Sequence, residues 1–158
     1  TRATDFIAPR QKAEARFRNA ALALARQTGF GKRFVNSGRL STPTAYRNSP
    51  LSTPDDAAWA GGPPPGAPIP DAPLGNGYLS ERLGHGFALL HRPNGSELPA
   101  ISGLPLIEVA ESDEMLIQRF DLMPGSVYLI RPDRHIAARL RAHEHGALIF
   151  ALQRAGAA

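Results

Sequence analysis

The chain has 158 residues, a formal charge of +4, fifteen glycines, fifteen prolines and no cysteine. That length holds one domain plus an appendage. Without cysteine there is no disulfide, no thiolate metal site and no Cys-x-x-Cys redox couple, and no apolar run reaches the roughly 18 residues that mark a membrane helix.

Charge is segmented. Residues 1–50 carry ten Lys/Arg and two acids, a formal +8, and residues 51–158 carry eight against twelve, a formal −4. The basic part contains the clearest helix, predicted over residues 10–27. Ala13, Phe17, Ala20, Ala21 and Leu24 fall on one stripe at helical spacing. Pro9 suits the first turn, and Thr28-Gly29 suits the end. The stripe is narrow and rich in alanine, which fits docking against another element. Residues 30–35 extend the pattern by one turn.

From 36 to 54 periodicity disappears. Ser, Thr, Pro and Arg dominate, with single apolar residues at Leu40, Tyr46 and Leu51. A structureless run this long inside a compact domain is unusual, so it reads as an extended strap docked on a neighbour. Residues 61–74 hold six prolines and read as a semi-rigid linker. They lack the flanking basic anchor of an SH3 ligand. Trp59, the only tryptophan, stands just before them as a docking anchor.

A compact domain is predicted from residue 75. Residues 78–83 form a short helix, 87–90 a buried strand, 104–109 a second strand, and 115–120 a short helix or strand. The region 91–103 is turn-rich around Pro93-Asn94-Gly95. Val127-Tyr128-Leu129-Ile130 is a continuous apolar run, suited to a strand buried on both faces. Arg131-Pro132-Asp133-Arg134 reads as a tight turn, because Pro132 presets φ and Asp133 bonds its own backbone. Residues 135–140 then alternate. Ile136, Ala138 and Leu140 take a dry face, and His135, Ala137 and Arg139 a wet one. The hairpin's first strand lies inside the sheet and its second nearer the edge. Residues 143–155 close the chain as a helix packing Leu148, Ile149 and Leu152. The class is α/β (α+β), a mixed sheet with helices, preceded by a basic helix and an extended Pro-rich strap.

Absences bound the chemistry. No Gly-x-Gly-x-x-Gly follows a strand, and there is no P-loop or Gly-x-Ser-x-Gly elbow. His143-Glu144-His145 has the wrong spacing for a helical metal pair, which needs i and i+4. His85, His91 and His135 read as surface or satisfied residues. Glu108, Glu111, Asp113 and Glu114 read as a solvated turn. No catalytic, cofactor-binding or metal residue is assigned.

Three blocks carry a resemblance. The string VYLIRPDRHIAAR resembles the last hairpin of the thioredoxin-like C-terminal domain of FAD-dependent aromatic-ring hydroxylases, the phenylpropionate- and phenol-hydroxylase-like flavoprotein monooxygenases. Val35-Asn36-Ser37-Gly38-Arg39-Leu40-Ser41, with Pro43, Tyr46 and Ser49-Pro50-Leu51, resembles the segment leaving their flavin-binding part. Gly66, Pro70-Asp71 and Leu74 resemble their linker. The likeness spans about residues 10–146. One position departs: where the family often has Gly, this chain has Arg134, and if φ is positive there a side chain costs about 1 kcal/mol.

The resemblance implies the C-terminal fragment of such an enzyme, as an excised piece beginning at Thr1-Arg2 would be. Residues 1–60 would belong to the end of a missing flavin domain, 61–74 would be the linker, and 75–158 a trimmed thioredoxin-like layer without redox cysteines. FAD and NAD(P)H would serve the parent enzyme, with no cofactor in this fragment. Asn36, Ser37, Gly38, Arg39, Leu40, Tyr46 and Trp59 would dock to the flavin domain. The implied assembly is a cytoplasmic homodimer, with no membrane and no nucleic acid as partner. Two alternatives are a free-standing nucleic-acid binder using residues 1–50 and a thioredoxin-like carrier of a small ligand.

Overall fold

A strand that is apolar at every position needs cover on both faces, and the run at 127–130 sets the architecture accordingly. The structure is a computed structural model that describes residues 6, 8–29, 44–55, 57–96, 98, 100, 101, 103–142 and 144–156. The chain divides into two units, Thr1–Pro43 and Thr44–Ala158.

The first unit contains α1 (Lys12–Gln27). Glu14 Oε2 accepts the N–H groups of Arg10 and Gln11 at 2.9 and 3.1 Å, which answers donors a helix start leaves open. Thr28 closes the other end through its N–H and hydroxyl, both donated to Leu24 O. Of the predicted stripe only Ala21 is buried, while Phe17 and Leu24 remain exposed. Phe6 meets Phe17 edge-on at 6.4 Å. The extra turn predicted at 30–35 lies outside the described residues.

The second unit contains β1 (Pro73–Leu74), β2 (Gly77–Tyr78), α2 (Leu79–Arg82), β3 (Ala88–His91), β4 (Leu106–Glu108), α3 (Glu114–Phe120), β5 (Val127–Ile130), β6 (Ile136–Leu140) and α4 (His145–Arg154). This is a mixed α/β architecture. The four-stranded sheet has the order β4-β3-β5-β6. β3 and β4 run parallel, and the β3–β5 and β5–β6 pairs are antiparallel. On one face Leu90, Tyr128, Ile130 and Ile136 pack with Leu79 of α2, Leu83 just after it, and Leu116 and Phe120 of α3. On the other, Leu89, Val127, Leu129, Ala138 and Leu140 pack with Leu148, Ala151 and Leu152 of α4 and Ala155 just after it. The packing side of α4 thus uses spacings of three and four, and Ile149 sits only half-buried beside it.

The hairpin forms as the sequence predicts, with β5 inside and β6 beyond it, but β6 has no wet face. All five of its residues are buried. A bulge leaves Ala137 without a partner on β5, because Leu129 pairs with Ala138 and Ile130 with Ile136. The extra residue turns Ile136 to the Tyr128 face, while Ala138 and Leu140 face α4. Simple alternation fails at this bulge.

Cover for β6 comes from the strap and the Pro-rich stretch. Thr53 N–H donates to Ala137 O, Gly66 N–H to Ile136 O, Ile136 N–H to Ala67 O and Ile69 N–H to Arg134 O, all at 2.8–2.9 Å. Residues 66–69 therefore act as a short strand along the outer side of β6. Gly66 has φ 81, and a Cβ there would lie 2.1 Å from Tyr46 O, so only glycine lets the two strap segments approach. The second unit begins at Thr44, and residues 66–69 of the proline-rich stretch lie along β6.

Arg134 adopts φ 63, the left-handed conformation that makes the position favour glycine. Its guanidinium donates to Leu83 O at 3.0 Å and Ser80 O at 3.4 Å, binding the end of α2 and offsetting the strain. Arg134→Ala keeps the strained φ and loses both bonds, so urea unfolding should show a loss of about 1–2 kcal/mol. Arg134→Gly should recover about 1 kcal/mol of that loss.

Candidate functional site

The only tryptophan follows a short acidic segment of the strap, and its seat is built by the last strand of the hairpin. Arg139 is the fourth residue of β6 and Arg141 follows its end. Two positions apart in an extended chain, they share a face. The Arg141 guanidinium carbon lies 3.7 Å from the Trp59 ring centroid and that of Arg139 lies 4.5 Å away. Each such contact contributes about 0.5–2 kcal/mol, more as water is excluded. Tyr128 meets the same indole edge-on at 5.4 Å and Phe120 at 5.3 Å. Trp59 Nε1 is buried with no hydrogen-bond partner among the described residues. That orphan costs about 1–3 kcal/mol, so the ring contacts must exceed it.

Both arginines also hold backbone. Arg139 forms a two-point pair with Asp55, Nε to Oδ1 at 2.8 Å and NH2 to Oδ2 at 2.6 Å, and its NH1 donates to Gly61 O at 2.8 Å. Arg141 donates to Ala58 O, to Asp121 O and to the Asp121 carboxylate. Asp121 in turn accepts the N–H groups of Ala60 and Gly61 at 3.0 and 3.2 Å. It caps α3 at φ 53, a conformation Asp tolerates better than most residues. Beneath the cluster the Tyr128 hydroxyl donates to Phe120 O at 2.7 Å. Gly62, at φ 72, passes so close that a Cβ would lie 2.6 Å from that hydroxyl.

Charge states follow from this packing. Burial pushes the Asp121 carboxyl up, but the Arg141 bond and the Gly61 and Ala60 N–H groups outweigh it and hold it below the usual carboxylate value. Burial lowers Arg139, and its bond to Asp55 more than offsets this, leaving it raised. Burial pushes the Tyr128 phenol up to about 12. Each of the six guanidinium nitrogens of Arg139 and Arg141 donates to the strap or to Asp121. The cluster is therefore a clamp on Asp55 and residues 57–62, with its donors already engaged.

The residues singled out from sequence fall in different places. Asn36, Ser37, Gly38, Arg39 and Leu40 lie outside the described residues. Tyr46 is exposed, its ring 5.3 Å from that of His135 and its N–H donated to Gly66 O at 2.7 Å. Trp59 is half-buried in the clamp. Asp55, Asp121, Arg139 and Arg141 escaped sequence reading. Their only signal is an Arg-x-Arg on the second hairpin strand together with a lone Trp beside an acid. His91 is buried within β3, and His143 lies outside the described residues. The acidic turn ties loops together: Glu111 pairs with Arg92 at 2.6 Å, and Asp113 accepts the N–H groups of Gly75 and Ala110. Among the described residues no three His, Cys, Asp or Glu side chains converge on a metal site. Among the described residues no Gly-x-Gly-x-x-Gly run joins a strand to a helix.

No family profile and no curated protein matches the chain. Solved structures do. The flavin-dependent monooxygenase PieE, solved with FAD and substrate, superposes with a TM-score of 0.54 at 23% identity, over 99% of this chain and 31% of its own. The rebeccamycin biosynthetic enzyme RebC, in substrate-free form, gives 0.57 at 22% identity, over 97% and 30%. Aklavinone-11 hydroxylase, with FAD and aklavinone, gives 0.53 at 16% identity, over 87% and 33%. The chain shares the fold of a stretch of these enzymes and spans about 30% of their length.

Two outcomes test the clamp. Trp59→Ala should cost about 3 kcal/mol in urea unfolding and expose residues 44–62 to limited proteolysis, with Trp59→Phe intermediate. Because the folded pKa of Asp121 is depressed, its contribution is complete above the unfolded value of about 3.9 and is lost as pH falls through the folded one. Asp121→Asn should therefore flatten the acid limb of a stability–pH curve and lower the plateau above it.

Proposed function

We propose that this chain is the C-terminal part of an FAD-dependent aromatic-ring hydroxylase of the phenylpropionate- and phenol-hydroxylase-like kind. Its role is to brace the flavin-binding part, and it performs no chemistry of its own. The observation that carries this reading is the fold likeness, which covers nearly the whole chain but about 30% of flavin-dependent enzymes. The three sequence blocks that resemble the same family support it independently.

The order of the sheet adds to this. A parallel β3–β4 pair, the β5–β6 hairpin and a closing helix fit a thioredoxin-like layer, here lacking the cysteines that redox members use. In this reading Asn36, Ser37, Gly38, Arg39, Leu40 and the exposed Tyr46 dock to the flavin part. Trp59 fastens the strap that carries them. FAD and NAD(P)H bind elsewhere in the parent chain, where the cofactor carries the oxygen chemistry. The assembly is a cytoplasmic homodimer. No helix among the described residues is long and apolar enough to cross a membrane.

The test compares the chain alone with the chain joined to the reading frame that precedes it. The joined protein should bind FAD and consume NAD(P)H when given a phenol. The chain alone should be colourless and should form a complex with the separately made flavin part on gel filtration. Flavin held tightly by the isolated chain, phenol turnover by it, or no association with the flavin part overturns the proposal.

A further inference from the structure

Two asparagines stand directly before a glycine, in Asn76-Gly77 and Asn94-Gly95. In such a pair the backbone nitrogen can attack the preceding side chain, because glycine has no Cβ to screen it. The structure treats the two pairs differently. Asn94 and Gly95 are exposed in the turn that leaves β3, and no described atom lies within 4 Å of the place a Cβ on Gly95 would take. Asn94 Oδ1 accepts the Ser96 N–H at 3.0 Å. That bond, two residues on, curls the side chain over the Gly95 peptide. Asn76 ends the turn between β1 and β2. Gly77 is held in the ladder opposite Leu74. The Glu81 carboxylate crowds it while accepting the next N–H, that of Tyr78, at 2.9 Å.

We propose that Asn94-Gly95 is a self-modifying site, where the chain deamidates through a cyclic imide, and that Asn76-Gly77 is protected from the same reaction. The Gly95 N–H gives its proton to hydroxide, and the nitrogen adds to Asn94 Cγ. The carbonyl electron pair moves onto Oδ1, where the Ser96 N–H already points and holds the developing charge. Collapse of this intermediate breaks the Cγ–Nδ2 bond, and ammonia leaves with a proton taken from water. Water then opens the imide at either carbonyl, giving an aspartyl or an isoaspartyl residue at position 94. The net exchange is water in and ammonia out, with no redox partner. At Gly77 the neighbouring carboxylate disfavours the deprotonated, anionic nitrogen, and the ladder holds that nitrogen in the strand. The modification reaches the sheet, because Asn94 Nδ2 lies 2.8 Å from where a Cβ on Gly125 would stand. Gly125 N–H in turn donates to Arg92 O at 2.7 Å. An isoaspartyl link adds a carbon to the main chain at 94 and displaces this crossing between the exit of β3 and the entry to β5.

Trypsin does not cut between Arg92 and Pro93, so peptides 48–82 and 83–119 report Asn76 and Asn94 separately by mass spectrometry. After incubation of the folded chain at mildly alkaline pH, peptide 83–119 should carry both aspartyl and isoaspartyl forms. Its conversion should run about tenfold or more ahead of that of peptide 48–82. In urea, where neither turn survives, the two rates should converge. Asn94→Asp keeps an oxygen for the Ser96 N–H and should match fresh wild type in urea unfolding, whereas the aged isoaspartyl chain should unfold at lower urea. Conversion at Asn94 no faster than at Asn76 in the folded chain overturns the proposal. So does conversion of Asn94 that occurs only in urea.

Discussion

Two guanidinium groups lying on one indole fasten the strap of the second unit to its sheet. Arg139 and Arg141 reach Trp59 from β6 and the residue after it, and each also bonds a carboxylate and strap carbonyls. Any one of these contacts is modest. Together they fix Asp55 and residues 57–62, and that segment brings residues 66–69 alongside β6. The buried indole N–H without a partner shows which property of tryptophan matters here. Its broad face is used, and its hydrogen bond is forgone.

Sealing a sheet edge with another extended segment normally moves the open edge outward by one strand. Here the sealing segment contains Pro68 and is followed by Pro70. Pro68 and Pro70 have no N–H to present, Ala67 N–H is donated to Pro64 O, and Gly66 O accepts Tyr46 N–H. The strap closes β6 while offering little to a further strand. Its stiffness also lowers the entropy cost of laying it down.

How far the sequence reveals this depends on the range of the interactions. The both-faces burial of residues 127–130 was readable from four apolar side chains. The turn was readable from Pro132 and Asp133, and the positive φ at Arg134 from a family preference for glycine. Those features are local. The covered outer face of β6 was not readable, because Arg139 looks solvent-facing until Asp55 is found beside it. The bulge at Ala137 was equally hidden, since an inserted residue in Ile-Ala-Ala-Arg-Leu looks like plain alternation. The strap reads from sequence as extended and docked on a neighbouring domain. What it docks on within the described residues is its own sheet, a seat formed by residues some 80 positions later.

That separation governs the order in which the unit can be completed. The Arg139–Asp55 pair closes a span of 84 residues, whereas the hairpin turn closes within four. Loop closure over the long span is rewarded only once β6 exists. As a ribosome releases the chain from its amino end, the strap emerges before its seat and must wait, unseated, until β6 has been made.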